Sequence, residues 1–240
     1  MKKEFWKDWK RKTSIEKKAI EAVKRARELI IRAIPKKKLV AIYIKGSFIR
    51  REMKRGSDVD IVPIVAENKY EKPIFELNKP EITPCVIVPL SLWELKNNKL
   101  FTKNNSPRAR PDRFIKYLSH YKLIYGKALN TTNFKIRTDE ESFKALIKAF
   151  KKSFIPLYEK GKLGFSGIIK ETFWLTELEQ RIKLIIPIFS FRGVSKSIRD
   201  KNHIVHDAWK LRLHKTKDKR KRKAFIIKLK KHLKRLEELN

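Results

Sequence analysis

The chain holds one cysteine, seven glycines and only 26 acidic residues in 240. With Cys85 as the single thiol, an intrachain disulfide and any zinc site built from cysteines are excluded. Long apolar runs are also missing: Ile182–Phe191 is interrupted by Lys183 and Pro187, and nothing approaches the ~18 residues needed to span a bilayer. The first ten residues, Met-Lys-Lys-Glu-Phe-Trp-Lys-Asp-Trp-Lys, have no apolar h-region, so no secretory signal, no membrane partner and a cytoplasmic location are expected. The scarcity of acid sets the charge: 61 Lys+Arg against 26 Asp+Glu gives +35. A positive field of that size favours polyanions, RNA or DNA, through counterion release. A hydrophobic content of 41% nevertheless excludes a disordered basic tail, and 240 residues suffice for one large or two small domains.

Along the chain, Thr13-Ser14-Ile15-Glu16 has the form of a capping box, and Ile20, Val23, Ile30 and Ile34 suit a helix ending before Pro35. Leu39–Ile44 is β-branched and short, a strand. A helix is expected from Phe48 to Met53, then a strand over Asp58–Val65 in which Pro63 points to an edge or a bulge. Ile82–Pro89 reads as a third strand, Ser91 as the cap of a helix, Pro111–Tyr121 as another helix and Tyr121–Gly126 as a returning strand. After Asn130-Thr131-Thr132-Asn133 the pattern is helical, about 140–160, 166–186, 193–213 and 219–238. The expected organisation is α+β over 1–130, a mixed sheet with flanking helices, followed by an all-α bundle over 139–240. Residues 210–235 carry fourteen Lys/Arg and one acid, Asp218, with Phe225, Ile226, Ile227, Leu229, Leu233 and Leu236 as an apolar stripe. Such a helix packs on one face and tracks phosphate or is solvated on the other.

The chemistry concentrates in residues 46–61, Gly-Ser-Phe-Ile-Arg-Arg-Glu-Met-Lys-Arg-Gly-Ser-Asp-Val-Asp-Ile. Asp58 and Asp60, at i and i+2 on an extended segment, point to one face, about 6–7 Å apart. Carboxylates so placed suit one or two hard divalent cations, which prefer oxygen ligands. Gly46-Ser47 closes the preceding strand and lets backbone approach a phosphate.

This stretch resembles the signature of the minimal nucleotidyltransferases of the polymerase-β-like superfamily: Gly-Ser, a variable pair, Arg, a loop, then Ser-Asp-hydrophobic-Asp-hydrophobic. Gly46, Ser47, Arg50, Ser57, Asp58, Asp60 and Ile61 fall at that spacing, with Arg51 where Gly is frequent and Ile49 where Ala is frequent. The resemblance implies a small mixed sheet with flanking helices and transfer of NMP from an NTP, such as ATP, to a hydroxyl on RNA (favoured by the charge), a protein or a small molecule. It implies Mg²⁺ or Mn²⁺ on Asp58 and Asp60 as the catalytic carboxylates, the nucleotide on Gly46, Ser47, Arg50 and Ser57, and Lys54 as an alternative source of charge. Family members add a third carboxylate from the adjacent strand, here Ile82–Pro89, which contains none; Cys85 or Pro84 stands near its place and Glu81 is the nearest candidate metal ligand. Weak catalysis, a ligand supplied by substrate, or a module that only binds nucleotide or RNA would each follow.

In the helical part, Arg199 and His206, with six residues between them, resemble the Arg-x(4–6)-His mark of HEPN domains. That resemblance implies phosphate or RNA contact by Arg199 and His206, and an RNA-cleaving or toxin–antitoxin fusion as the alternative function. Ala208 stands where the family carries tyrosine.

Overall fold

The computed structural model describes residues 4–101, 110–186, 188, 190–214 and 216–238; of the residues discussed above, 1–3, Pro187 and position 215 of the basic stretch lie outside this set. The chain divides into two compact units, Met1–Ile136 and Arg137–Asn240.

The first unit is built on a sheet. Helix α1 (Ser14–Ala33) starts from Thr13, whose hydroxyl accepts from Glu16 N–H while Glu16 accepts from Thr13 N–H. Strands β1 (Leu39–Lys45) and β2 (Val59–Val65) pair antiparallel; β5 (Lys122–Gly126) flanks β1, and β3 (Cys85–Ile87) and β4 (Leu90–Ser91) both run parallel to β2. The order is β3-β2-β1-β5. The remaining helices are short: α2 (Glu71–Phe75), α3 (Leu92–Asn97) capped by Ser91, and α4 (Pro111–Lys116).

Alternation along the strands supplies two cores. Ile42, Ile44, Val59, Ile61 and Val65 face Ala19, Ile20, Val23 and Ile30 of α1. Ala41, Tyr43, Val62 and Ile64 face Leu95, Phe114 and Ile115 from α3 and α4. Each fully buried aliphatic side chain contributes on the order of 2 kcal/mol, so both faces hold the register.

Pro63 was expected at an edge or bulge, yet β2 is an inner strand. Val59 N–H donates to Pro84 O and Ile61 O accepts from Val88 N–H, so the odd-numbered backbone groups of β2 face β3 and β4. Pro63 falls between the Val59–Ile61 and Ile64–Val65 pairings on that side, where there is no ladder bond to lose. The third strand is likewise shorter than expected: Ile82 belongs to a single 3₁₀ turn, Pro80–Ile82, and Pro89 separates β3 from β4.

The second unit is helical. Helix α5 (Asp139–Ala149) runs through a π turn at Phe150–Phe154 into α6 (Ile155–Glu159), followed by α7 (Phe165–Ile182), α8 (Phe191–Lys196), α9 (Ile204–Leu213) and α10 (Lys219–Glu238). The helix expected over 193–213 is two helices, divided at 197–203. Phe143, Phe150, Ile168, Phe173, Val205 and Leu229 are fully or almost fully buried at its core. Among the described residues no helix is long and apolar enough to cross a membrane.

Candidate active site

The site lies where β1 ends and β2 begins. Lys45 pairs with Asp60, so the turn leaving β1 starts beside the Asp60 carboxylate. Gly46 has φ +89°, and a Cβ on it would come within 2.8 Å of Asp60 Oδ2. Glycine is therefore required twice there, by backbone conformation and by the carboxylate above it.

The helix expected from Phe48 to Met53 does not form. Residues 47–51 make a tight turn instead, in which Arg51 N–H donates to Phe48 O (3.0 Å) and Glu52 N–H to Ser47 O (2.9 Å). Arg51 at φ +56° ends any right-handed continuation. A second turn follows: Ser57 N–H donates to Lys54 O (2.8 Å) and the Ser57 hydroxyl accepts from Lys54 N–H (2.9 Å). Ser57 thus shapes the loop that delivers Asp58 to the mouth of β2.

Asp60 shares a sheet face with Val62 and Ile64, and Asp58, one step before the strand, continues that alternation. Asp58 is exposed and Asp60 half-buried. Neither carboxylate has a hydrogen-bond or ion-pair partner among the described residues. In a chain with 61 Lys/Arg that is a notable omission. The nearby cations have other anions: Arg50 Nε donates to Glu52 Oε2 (2.8 Å) and Arg51 to Glu16 (2.9 Å). Two uncompensated carboxylates beside a glycine turn are the donor set a hard divalent cation takes. Lys45, paired with Asp60 and on the same face, is a further cation at this edge that the sequence reading had not singled out.

The β2–β3 register decides what stands beside Asp60 on the next strand. Asp60 aligns with Val86, and Val59 with Cys85. Cys85 was expected near the place of the third carboxylate; it faces the α1 core instead, and burial pushes its thiol up to about 12. Val86, 38% exposed, is the residue on the Asp60 face. Glu81 is exposed on the 3₁₀ turn before the strand, and its oxygens do not join those of Asp58 and Asp60 in a three-ligand cluster among the described residues.

In the helical unit, Arg199 is exposed in the segment between α8 and α9. His206 lies in the first turn of α9, with Nδ1 3.5 Å from Ser195 Oγ and Nε2 buried without a partner. An interior Nε2 is poorly placed for acid–base work on a bound strand.

The sequence reading missed a different group: Glu179 of α7, His203 at the cap of α9 and His232 of α10, all buried, with ligand atoms within 4.8 Å of one another. His203 Nδ1 accepts Val205 N–H (3.2 Å), so the ring proton is on Nε2, which donates to Glu179 Oε2 (3.0 Å). With that proton in place the Nε2 lone pair is not offered to a metal, and the group is a hydrogen-bonded buried carboxylate. His232 Nε2 stands 3.6 Å from the same oxygen and Lys183 Nζ 3.0 Å from Oε1. Burial would raise the Glu179 pKa, but the His203 bond, the adjacent His232 and Lys183 outweigh it and hold the carboxyl far below the usual range. The signal was present in the sequence, since His232 interrupts the apolar stripe of Leu229, Leu233 and Leu236.

No protein-family model matches the chain, and neither does any curated protein. Among solved structures, the chain is similar to the spectinomycin adenyltransferase AAD(9) of Enterococcus faecialis, whose crystal structure holds ATP and spectinomycin. The TM-score is 0.51 at 13% identity, over 89% of this chain and 99% of that one. At this identity the likeness is one of fold: an α+β arrangement with a mixed sheet and flanking helices.

Proposed function

We propose that this protein is a nucleotidyltransferase that moves NMP from an NTP to a hydroxyl acceptor with the help of Mg²⁺ or Mn²⁺. The observation that carries the proposal is the pair Asp58 and Asp60, without a cationic partner among the described residues of a strongly basic chain, set against the Gly46 turn. A divalent ion on these carboxylates would neutralise triphosphate charge and polarise the α-phosphate. The chain's own groups do the rest. Gly46 and Ser47 offer backbone N–H and hydroxyl donors to phosphate oxygens, and Lys45 and Arg50 add positive charge at the same edge. The acceptor oxygen attacks the α-phosphorus, its bond forms as the α–β bridge breaks, and pyrophosphate leaves. Because β3 presents Val86 beside Asp60, the acceptor's proton passes to solvent or to a group on the acceptor itself.

The net charge of +35 supports RNA as the acceptor. A second reading, a small-molecule acceptor, is supported by a neighbour whose likeness extends over 89% of this chain and which is named for spectinomycin.

The test supplies each α-³²P-labelled NTP, beginning with ATP, with Mg²⁺ or Mn²⁺, and offers total RNA or a panel of small hydroxylated molecules that includes spectinomycin. Label transferred by wild type and lost in Asp58→Ala and Asp60→Ala supports the proposal and identifies the acceptor. No transfer with any nucleotide, metal and acceptor class would overturn it.

A further inference from the structure

The Gly46–Arg51 turn is held from outside by a segment that neither the motif nor the sheet explains. Phe48, immediately after Ser47, is fully buried. Three aromatic rings from the N-terminal segment enclose it: Phe5 at 5.9 Å, Trp6 at 6.1 Å and Trp9 at 5.1 Å between centroids. The segment is itself tied down, since Glu4 accepts from Trp6 Nε1 (3.2 Å) and pairs with Arg27 of α1 (3.1 Å).

Arg51 closes this arrangement from inside the turn. Its Nε donates to Glu16 Oε1 (2.9 Å), and its Nη2 donates to Glu16 Oε2 (3.2 Å) and to Arg11 O (3.2 Å). Its guanidinium carbon lies 5.1 Å from the centre of the Trp9 ring. Glu16 is buried and is also the N3 residue of the α1 capping box, so one carboxylate fixes the start of α1 and the end of the turn together. Arg51 holds φ +56°, a conformation glycine adopts without steric cost. A turn that needed only that conformation would be served better by glycine. The arginine is explained by what its side chain reaches, and that is Glu16, Arg11 and Trp9.

We infer that residues 4–11 are a buttress for the phosphate-binding turn and that Arg51 is a positioning residue, acting through Glu16 and Trp9 and not by contact with the nucleotide. The inference rests on the nucleotide reading of this turn. Gly46 and Ser47 can present donors to a phosphate only if the following residues are immobile, and the side chains that immobilise them are Phe48 and Arg51.

The experiment compares Arg51→Gly, Glu16→Gln and the double variant with wild type. It measures the affinity for a fluorescent ATP analogue with Mg²⁺, amide hydrogen exchange over residues 46–52, and the thermal midpoint. Each single variant is expected to weaken nucleotide binding about fivefold to tenfold and to speed exchange in the turn, and the double variant to add little, because the two residues act as one unit. A direct phosphate ligand behaves differently: Arg51→Gly would weaken binding while Glu16→Gln would leave it unchanged or tighten it, and that pattern overturns the inference. So does unchanged exchange over 46–52 in the variants, whether or not nucleotide binds. Failure of wild type to bind any NTP would instead sink the nucleotide reading, and the exchange data would still decide whether the buttress exists.

Discussion

Two sets of carboxylates in this molecule meet opposite treatment. Glu179 is buried, accepts from His203, lies against His232 and is bridged by Lys183. Asp58 and Asp60 stand at the end of the sheet where β2 begins, with no cationic partner among the described residues, although the chain carries 61 Lys/Arg. A buried carboxylate must be compensated within the fold, because desolvation of an unpaired charge costs several kcal/mol. A carboxylate pair left uncompensated at an accessible end is stabilised instead by what binds there. Glu179 therefore belongs to stability, whereas Asp58 and Asp60 are left open for the ligand proposed above.

The largest effect that can break this contrast is on transfer. Asp58→Asn or Asp60→Asn is expected to reduce NMP transfer on the order of 100-fold or more. The thermal midpoint should stay close to wild type, since neither side chain supports the core. A matching loss of stability in either variant would move these residues into the Glu179 class. In the helical unit, Glu179→Ala is expected to cost about 2 kcal/mol in its unfolding transition, as it leaves the buried His203 Nε2–H without its acceptor. Specific transfer per folded molecule should be unaltered.

The pH dependence has a definite sign. The folded-state pKa of Glu179 is depressed, so the stability it contributes is present above the unfolded carboxylate value of about 4.3 and is lost as pH falls below it. Denaturation monitored by helical circular dichroism from neutral pH downward should show this slope in wild type and a flatter one in Glu179→Gln. Equal slopes in the two proteins would remove the carboxylate from the account. A smaller effect is expected at the turn: Gly46→Ala places a methyl against Asp60 Oδ2 and at φ +89°, and should lower transfer about tenfold at a stability cost of about 1–2 kcal/mol. Full activity in this variant would show that the Gly46–Asp60 contact is incidental.

What was legible in the sequence was what local chemistry decides. The capping box at Thr13, the cap at Ser91, β1, β2, β5 and the α+β plan all follow from residues close together in the chain. The errors arose where distant pairing decides. A helix over Phe48–Met53 is locally reasonable, but Phe48 is drawn among three aromatic rings from residues 5–9, and Arg51 is turned left-handed toward Glu16. Pro63 is tolerated in an inner strand only because β3 and β4 leave a gap beside it, which no window around Pro63 could reveal. The helix over 193–213 breaks where His203 turns to cap α9 and reach Glu179. At the site, the motif marked Asp58, Asp60 and Gly46, but Cys85 or Pro84 was expected beside them, where the register sets Val86. A shift of one residue in the β2–β3 pairing exchanges the core face for the site face.

That register gives the finest test of the two-carboxylate site. Val86 is aligned with Asp60, shares its face and is partly exposed, so Val86→Asp would set a third carboxylate there at little cost in packing. If Asp58 and Asp60 hold the metal as an incomplete set, this variant should lower the Mg²⁺ concentration for half-maximal transfer about threefold. Glu81→Gln, on the 3₁₀ turn outside the strand, should change the same quantity by less than about twofold, since removing a residue outside the ligand set leaves the metal's own oxygens in place. The opposite pair of results, no response at Val86 and a collapse at Glu81, would mean that the segment before β3 rearranges when metal binds, bringing Glu81 to Asp58 and Asp60. The end of the sheet would then be completed by the ligand, while the Glu179 group is complete within the fold.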